Sequence, residues 1–85
     1  MPKPVRYTQH AETVLVERGL EKEWVERAVY EPDWRTSEPR DSSAERRFRS
    51  VPERQGRVLR VICVENAVEI RIISVFLDRR ARRPE

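Results

Sequence analysis

The feature that most restricts what this chain can fold into is a change of hydrophobic period at Pro32. Before it, apolar residues recur at the three-to-four spacing of a helix. Beyond it they alternate, as in a strand whose successive side chains point to opposite faces. Ala11, Val14 and Leu15 keep helical spacing with Arg18, Thr8 offers an N-cap hydroxyl, and Gly19 suits a left-handed C-cap. The spacing predicts a first helix over about 9–18. A second helix opens in the acidic stretch Glu21–Glu23, where the helix dipole favours negative charge, and carries the stripe Trp24, Val25, Ala28 and Val29. It ends at about Tyr30, because Pro32 disfavours helical backbone at Glu31.

The alternating half reads as a short edge strand over Trp34–Glu38, a polar turn over Pro39–Ala44 and a basic strand over Glu45–Val51. A loop over Pro52–Gly56 leads to two strongly β-forming runs, Arg57–Glu65 and Val68–Leu77, turned by Asn66 and Ala67. Strict alternation puts Leu59, Val61 and Cys63 on one face of the first run, and Ile70, Ile72, Ser74 and Phe76 on one face of the second, opposite Arg71, Ile73, Val75 and Leu77. The expected fold is α+β, with two N-terminal helices packed on one face of a three- to four-stranded antiparallel sheet and an arginine-bearing face left open. Leu15, Trp24, Val25, Val29, Val61, Cys63, Ile70 and Ile72 are expected to form its core. At 85 residues there is room for one such core, so residues 1–85 form one domain, with 1–7 and 79–85 expected to be flexible.

Charged residues make up 39% of the chain, yet the apolar residues come in organised runs that a disordered segment would lack. The longest of those runs are too short to cross a bilayer and Met1 opens no signal-peptide pattern, so a cytoplasmic location without membrane partners is expected. A lone Cys63 in an apolar run implies a buried thiol and no metal or other cofactor. Charge is unevenly placed. Residues 1–38 hold six Lys/Arg against eight Asp/Glu, whereas residues 39–85 hold twelve Arg against seven Asp/Glu. Arginine's planar fork matches phosphate, so the C-terminal half suggests a polyanionic or acidic partner; the competing reading is a solvated arginine-rich surface.

The run YTQHAETVLVERGL, a second helix ending in YEPD, and GRVLRVICVENAVEIRIISVFLDRRARR together resemble the DUF4258 family, and the latter half is similar to BrnT-type toxins. The resemblance implies kinship with RelE and the barnase-like ribonuclease folds. It implies, too, a toxin-like RNA-directed protein, a metal-independent endoribonuclease silenced by an antitoxin, or a noncatalytic module binding RNA, the ribosome or a protein. A third reading is an interaction domain that recruits a partner chain at an exposed strand edge.

Metal-free RNA cleavage needs proton transfer and positive charge at the transition state. His10 is the single histidine and the candidate proton-transfer residue, set against a local capping or packing use. Arg49 and Arg71 are the candidate catalytic cations. Arg47 shares a face with Arg49, Arg60 lies on the open face, and Arg57 and Arg79 rim the same groove, all four as RNA contacts. Glu12 and Glu45 are weaker candidates for the base, Trp34 and Phe48 are candidates either for base stacking or for the core, and Arg18 is expected to complement a helix dipole. The chain departs from the RelE and barnase patterns in having only Lys3 and Lys22 and no identifiable Glu/His dyad.

Overall fold

The computed structural model describes residues 2–83. The chain runs β1 (Val5–Tyr7), α1 (Gln9–Arg18), α2 (Lys22–Tyr30), β2 (Trp34–Ser37), β3 (Glu45–Val51), β4 (Arg57–Glu65) and β5 (Ile70–Leu77). Thr8 caps α1 by accepting the Ala11 N–H at 3.1 Å. Gly19, at φ 63°, ends it in the left-handed region that a Cβ disfavours. There the Leu20 N–H reaches back to the Leu15 carbonyl at 2.9 Å, and the buried Leu20 side chain pins the connection to α2.

The sheet is five-stranded and mixed, in the order β1-β5-β4-β3-β2, rather than three- to four-stranded and antiparallel. β1 is the addition. It pairs parallel to β5 through Val5–Ile70 and Tyr7–Ile72, and the bonds from Ile70 N–H to Pro4 and from Thr8 N–H to Ile72 fix it there. Three residues beside two prolines are too few to display a period, and the strand exists only because β5 presents an unpaired edge. It lies inside the stretch expected as a flexible lead-in; of the two ends so expected, Met1, Pro84 and Glu85 lie outside the described residues.

Both helices pack on one face of the sheet. Every residue expected in the core is buried there except Trp24, which is half-buried against it, and Leu59, Val51 and Val75 join them. Cys63 is fully buried, and burial pushes its thiol up to about 11, so it is an inert core group.

The expected alternation fails midway along β5. The β4–β5 register pairs Ile62 with Ser74 but Cys63 with Ile72, leaving Ile73 as an extra, bulged residue. Beyond the bulge the faces exchange: Val75 is fully buried with Ile72, while Phe76 turns to the helix-free side. The hairpin also starts later than expected. Asn66 accepts the Val68 and Glu69 N–H groups at 2.8 and 2.9 Å, which holds Val68 in the turn and begins β5 at Ile70.

Candidate functional site

β3 alternates charge on both faces, and its register against β4 decides which arginines point inward. Arg47 pairs with Val61 and Arg49 with Leu59, so both lie on the helix side. Arg47 is only 3% exposed. Its guanidinium donates to the Glu45 carboxylate at 2.5 Å, to the Val29 carbonyl at the end of α2 at 2.9 Å, and to the Glu65 carboxylate. Burial works against its charge, and the bonds to Glu65 and Glu45 outweigh it. With all its forks occupied, Arg47 is a structural clamp between α2, β3 and β4, not the exposed RNA contact expected of it. Arg49 donates to the Glu31 carbonyl at 2.5 Å and so also ties down the end of α2.

Glu65 completes this network by accepting Lys3 Nζ at 2.7 Å as well. Hydrogen bonds from Arg47 and then Lys3 hold its carboxyl down at about 2. A carboxylate depressed on folding stabilises above its ordinary pKa and loses that contribution as acid protonates it. The melting temperature should therefore fall between pH 4.5 and about 2, and Glu65→Gln should flatten that acid limb in a pH series of thermal melts. An identical acid limb in the variant would remove Glu65 from the network's energetics.

The three candidate catalytic residues do not converge. Arg71 pairs with Val64 on the helix-free face, exposed and 3.5 Å from Glu69, which also holds Arg6 at 3.3 Å. Arg49 lies on the opposite face, two strands away. His10 is exposed in the first turn of α1. Of the weaker candidates for the base, Glu45 is bound by Arg47 and Glu12 lies 2.7 Å from Lys22 Nζ.

Arg57 and Arg79 do come together. With Arg18, Leu20, Phe76 and Leu77 they line an open groove of about 450 Å3 where α1 ends beside the last residues of β5. Among the described residues neither Arg57 nor Arg79 has an ion-pair partner, and no carboxylate lines the groove. Arg18 adds more than a helix-dipole complement. Because β1 pairs only with Ile70–Ile72, the outer edge of β5 beyond them has no strand partner among the described residues; the Thr8 hydroxyl donates to the Ile73 carbonyl at 3.4 Å and Arg18 to the Val75 carbonyl at 2.9 Å. Its guanidinium also sits 5.7 Å from the centre of the Phe76 ring. Sequence reasoning missed Phe76, since no residue type marks the bulge that turns it outward.

Arg60 lies on the helix-free face as expected, 3.2 Å from Asp78 and 3.9 Å from the centre of the Phe76 ring. Burial, with Arg46 close by, draws its guanidinium below the ordinary value against the pull of Asp78 and Glu38, and its Nε is buried without a hydrogen-bond partner among the described residues. A second concavity, of about 550 Å3, opens beside the Arg47 clamp, but the cations in its wall, Lys3, Arg35 and Arg47, are all paired with Glu45 or Glu65 there.

A family model described as a domain of unknown function, DUF4258, matches residues 7–77. The chain belongs to the DUF4258 family. No curated protein and no solved structure matches it. The matched span of this DUF4258 domain takes in both helices and all of β2 to β5, so the arginine groove is built on family scaffold except for Arg79, two residues past its end. Among the described residues no helix is long and apolar enough to cross a membrane.

Proposed function

We propose that this DUF4258 domain is an RNA-directed binding module that seats the phosphodiester backbone in the arginine groove. The observation that carries the reading is the convergence of Arg18, Arg57 and Arg79 on one concavity free of carboxylates. Arginine forks bind phosphate oxygens bidentately, and a groove without acidic groups adds no repulsion. Kinship with the BrnT and RelE toxins belongs to the same proposal, with RNA free or in the ribosome as the target and an acidic antitoxin segment competing for the same arginines.

Binding without scission is the favoured form, because His10, Arg49 and Arg71 stand on three separate parts of the molecule. Cleavage would need an acid and a base within hydrogen-bond reach of one phosphate. Titration of a labelled, unstructured RNA oligonucleotide across a salt series tests both parts. Three phosphate contacts on a single strand predict a slope of log affinity against log salt of about −2, or about fifteenfold weaker binding between about 50 and about 200 mM. The oligonucleotide should be recovered intact. Binding indifferent to salt, or no binding, contradicts the groove; RNA fragments formed by the pure protein would restore the endoribonuclease reading.

A further inference from the structure

We propose that Asp78 is a positioning residue for the arginine groove: by fixing the chain reversal after β5 it holds Arg79 beside Arg57, so that a carboxylate strengthens the binding of an anion. The inference rests on the reading of that groove as the phosphate site and deepens it by naming what keeps one of its three arginines in place.

The groove arginines are not equally supported by the fold. Arg18 is the last residue of α1 and Arg57 the first of β4, so a helix and a strand carry them. Arg79 lies two residues past the end of β5 and is carried by neither. An exposed arginine on a free chain end loses backbone and rotamer freedom when it grips a phosphate, and that ordering cost is subtracted from the contact.

Asp78 removes much of this cost in advance. Its N–H donates to the Val58 carbonyl at 2.8 Å, adding a rung to the β4–β5 ladder beyond the Leu59–Leu77 pair. Its Oδ1 accepts the Arg80 N–H at 2.9 Å and its carbonyl accepts the Ala81 N–H at 3.3 Å, so the chain turns at Arg79 and Arg80 as in an Asx turn. Its Oδ2 lies 3.2 Å from Arg60 Nη1 on the helix-free face, where both side chains are half-buried. Both carboxylate oxygens are thus engaged outside the groove, which Asp78 does not line.

The same rung sets the two groove arginines against each other. Arg57 and Arg79 each lie one residue beyond the bonded Val58 and Asp78, on neighbouring chains, and neither has an ion-pair partner among the described residues. Like charges at facing positions repel. A free chain end would let Arg79 move off into water, whereas the Asp78 turn keeps both forks on one concavity, where an anion between them relieves the repulsion.

The competing use of Asp78 is stability alone, as the ion-pair partner of Arg60 and the end of the sheet. In that case its only effect on RNA is its charge, which opposes an anion bound nearby. The two readings therefore differ in sign. Affinity for a labelled, unstructured RNA oligonucleotide separates them: charge alone makes Asp78→Ala bind more tightly, whereas loss of positioning weakens binding about fivefold, the cost of ordering one arginine. Asp78→Asn keeps an acceptor for the Arg80 N–H while giving up the charge, and should recover most of that loss. Arg79→Ala should itself weaken binding about tenfold, and adding Asp78→Ala to it should cost nothing further. Loss of the Arg60 partner, by contrast, lowers the melting temperature equally with and without Arg79. Tighter or unchanged binding by Asp78→Ala, an Asn variant as weak as the Ala variant, or the same loss of affinity in both backgrounds overturns the positioning role and leaves the groove standing. An Arg79→Ala protein that binds like the wild type removes the groove reading and the positioning role with it.

Discussion

Replacing Arg47 by leucine should destabilise the fold by about 3 kcal/mol, the low end of the cost of removing one partner from a buried ion pair. Leucine keeps much of the stem volume, so the loss isolates the charge. It leaves the Val29 carbonyl without its side-chain donor and sets Glu45 and Glu65 beside each other without the cation between them. The low end applies because the two carboxylate side chains are 32% and 34% exposed and recover part of their hydration. For a domain of this size about 3 kcal/mol corresponds to a melting temperature lower by roughly 12 to 24 °C. Arg47→Lys should recover only part of this, since a point charge on a flexible stem does not span three acceptors held at fixed angles. Adding Glu65→Gln to Arg47→Leu should restore some stability by removing one of the opposed charges. Thermal melts of the four proteins check the set, and a leucine variant melting within a few degrees of the wild type would show that the clamp contributes little.

The two helices and four of the five strands were legible because each shows several turns or repeats of its own period, with Thr8, Gly19, Pro32 and Asn66 marking boundaries through local chemistry. β1 was not legible, because three residues carry no period and its pairing is set by β5 far along the chain. The bulge at Ile73 was hidden for a related reason. The run Arg71-Ile72-Ile73-Ser74-Val75 reads acceptably in either phase, and the choice is made by what β4 and α1 place opposite it.

The site was legible in its composition and not in its geometry. Arg57 and Arg79 share a groove, but with Arg18 rather than with Arg47, Arg49, Arg60 or Arg71 as expected. Arg47 and Arg49 looked equally suited to phosphate, but at their end of the sheet the helix side is lined with polar groups, the carbonyls ending α2 and the carboxylates of Glu45 and Glu65. An arginine turned inward there finds acceptors, so alternation alone does not reveal which face is wet.

Removing the two unpaired groove arginines together, as Arg57→Ala with Arg79→Ala, should reduce affinity for an unstructured RNA oligonucleotide by about a hundredfold at low salt. That figure corresponds to losing two charge-assisted contacts at the low end of about 1.5 kcal/mol each. Both side chains are exposed and make none of the ion pairs that hold the fold together among the described residues, so melting should be nearly unchanged. The loss then reports on binding rather than on folding. Arg40→Ala, an exposed change in the β2–β3 turn outside the groove, serves as the matched loss of one charge and should leave affinity within about twofold.

The salt slope of RNA binding, compared between the wild type and the Arg57→Ala, Arg79→Ala protein, tests the central claim most directly. The slope should fall from about −2 to about −0.7 as the count of neutralised phosphates drops from three to one. An unchanged slope with unchanged affinity would contradict the claim that the phosphate backbone lies in this groove.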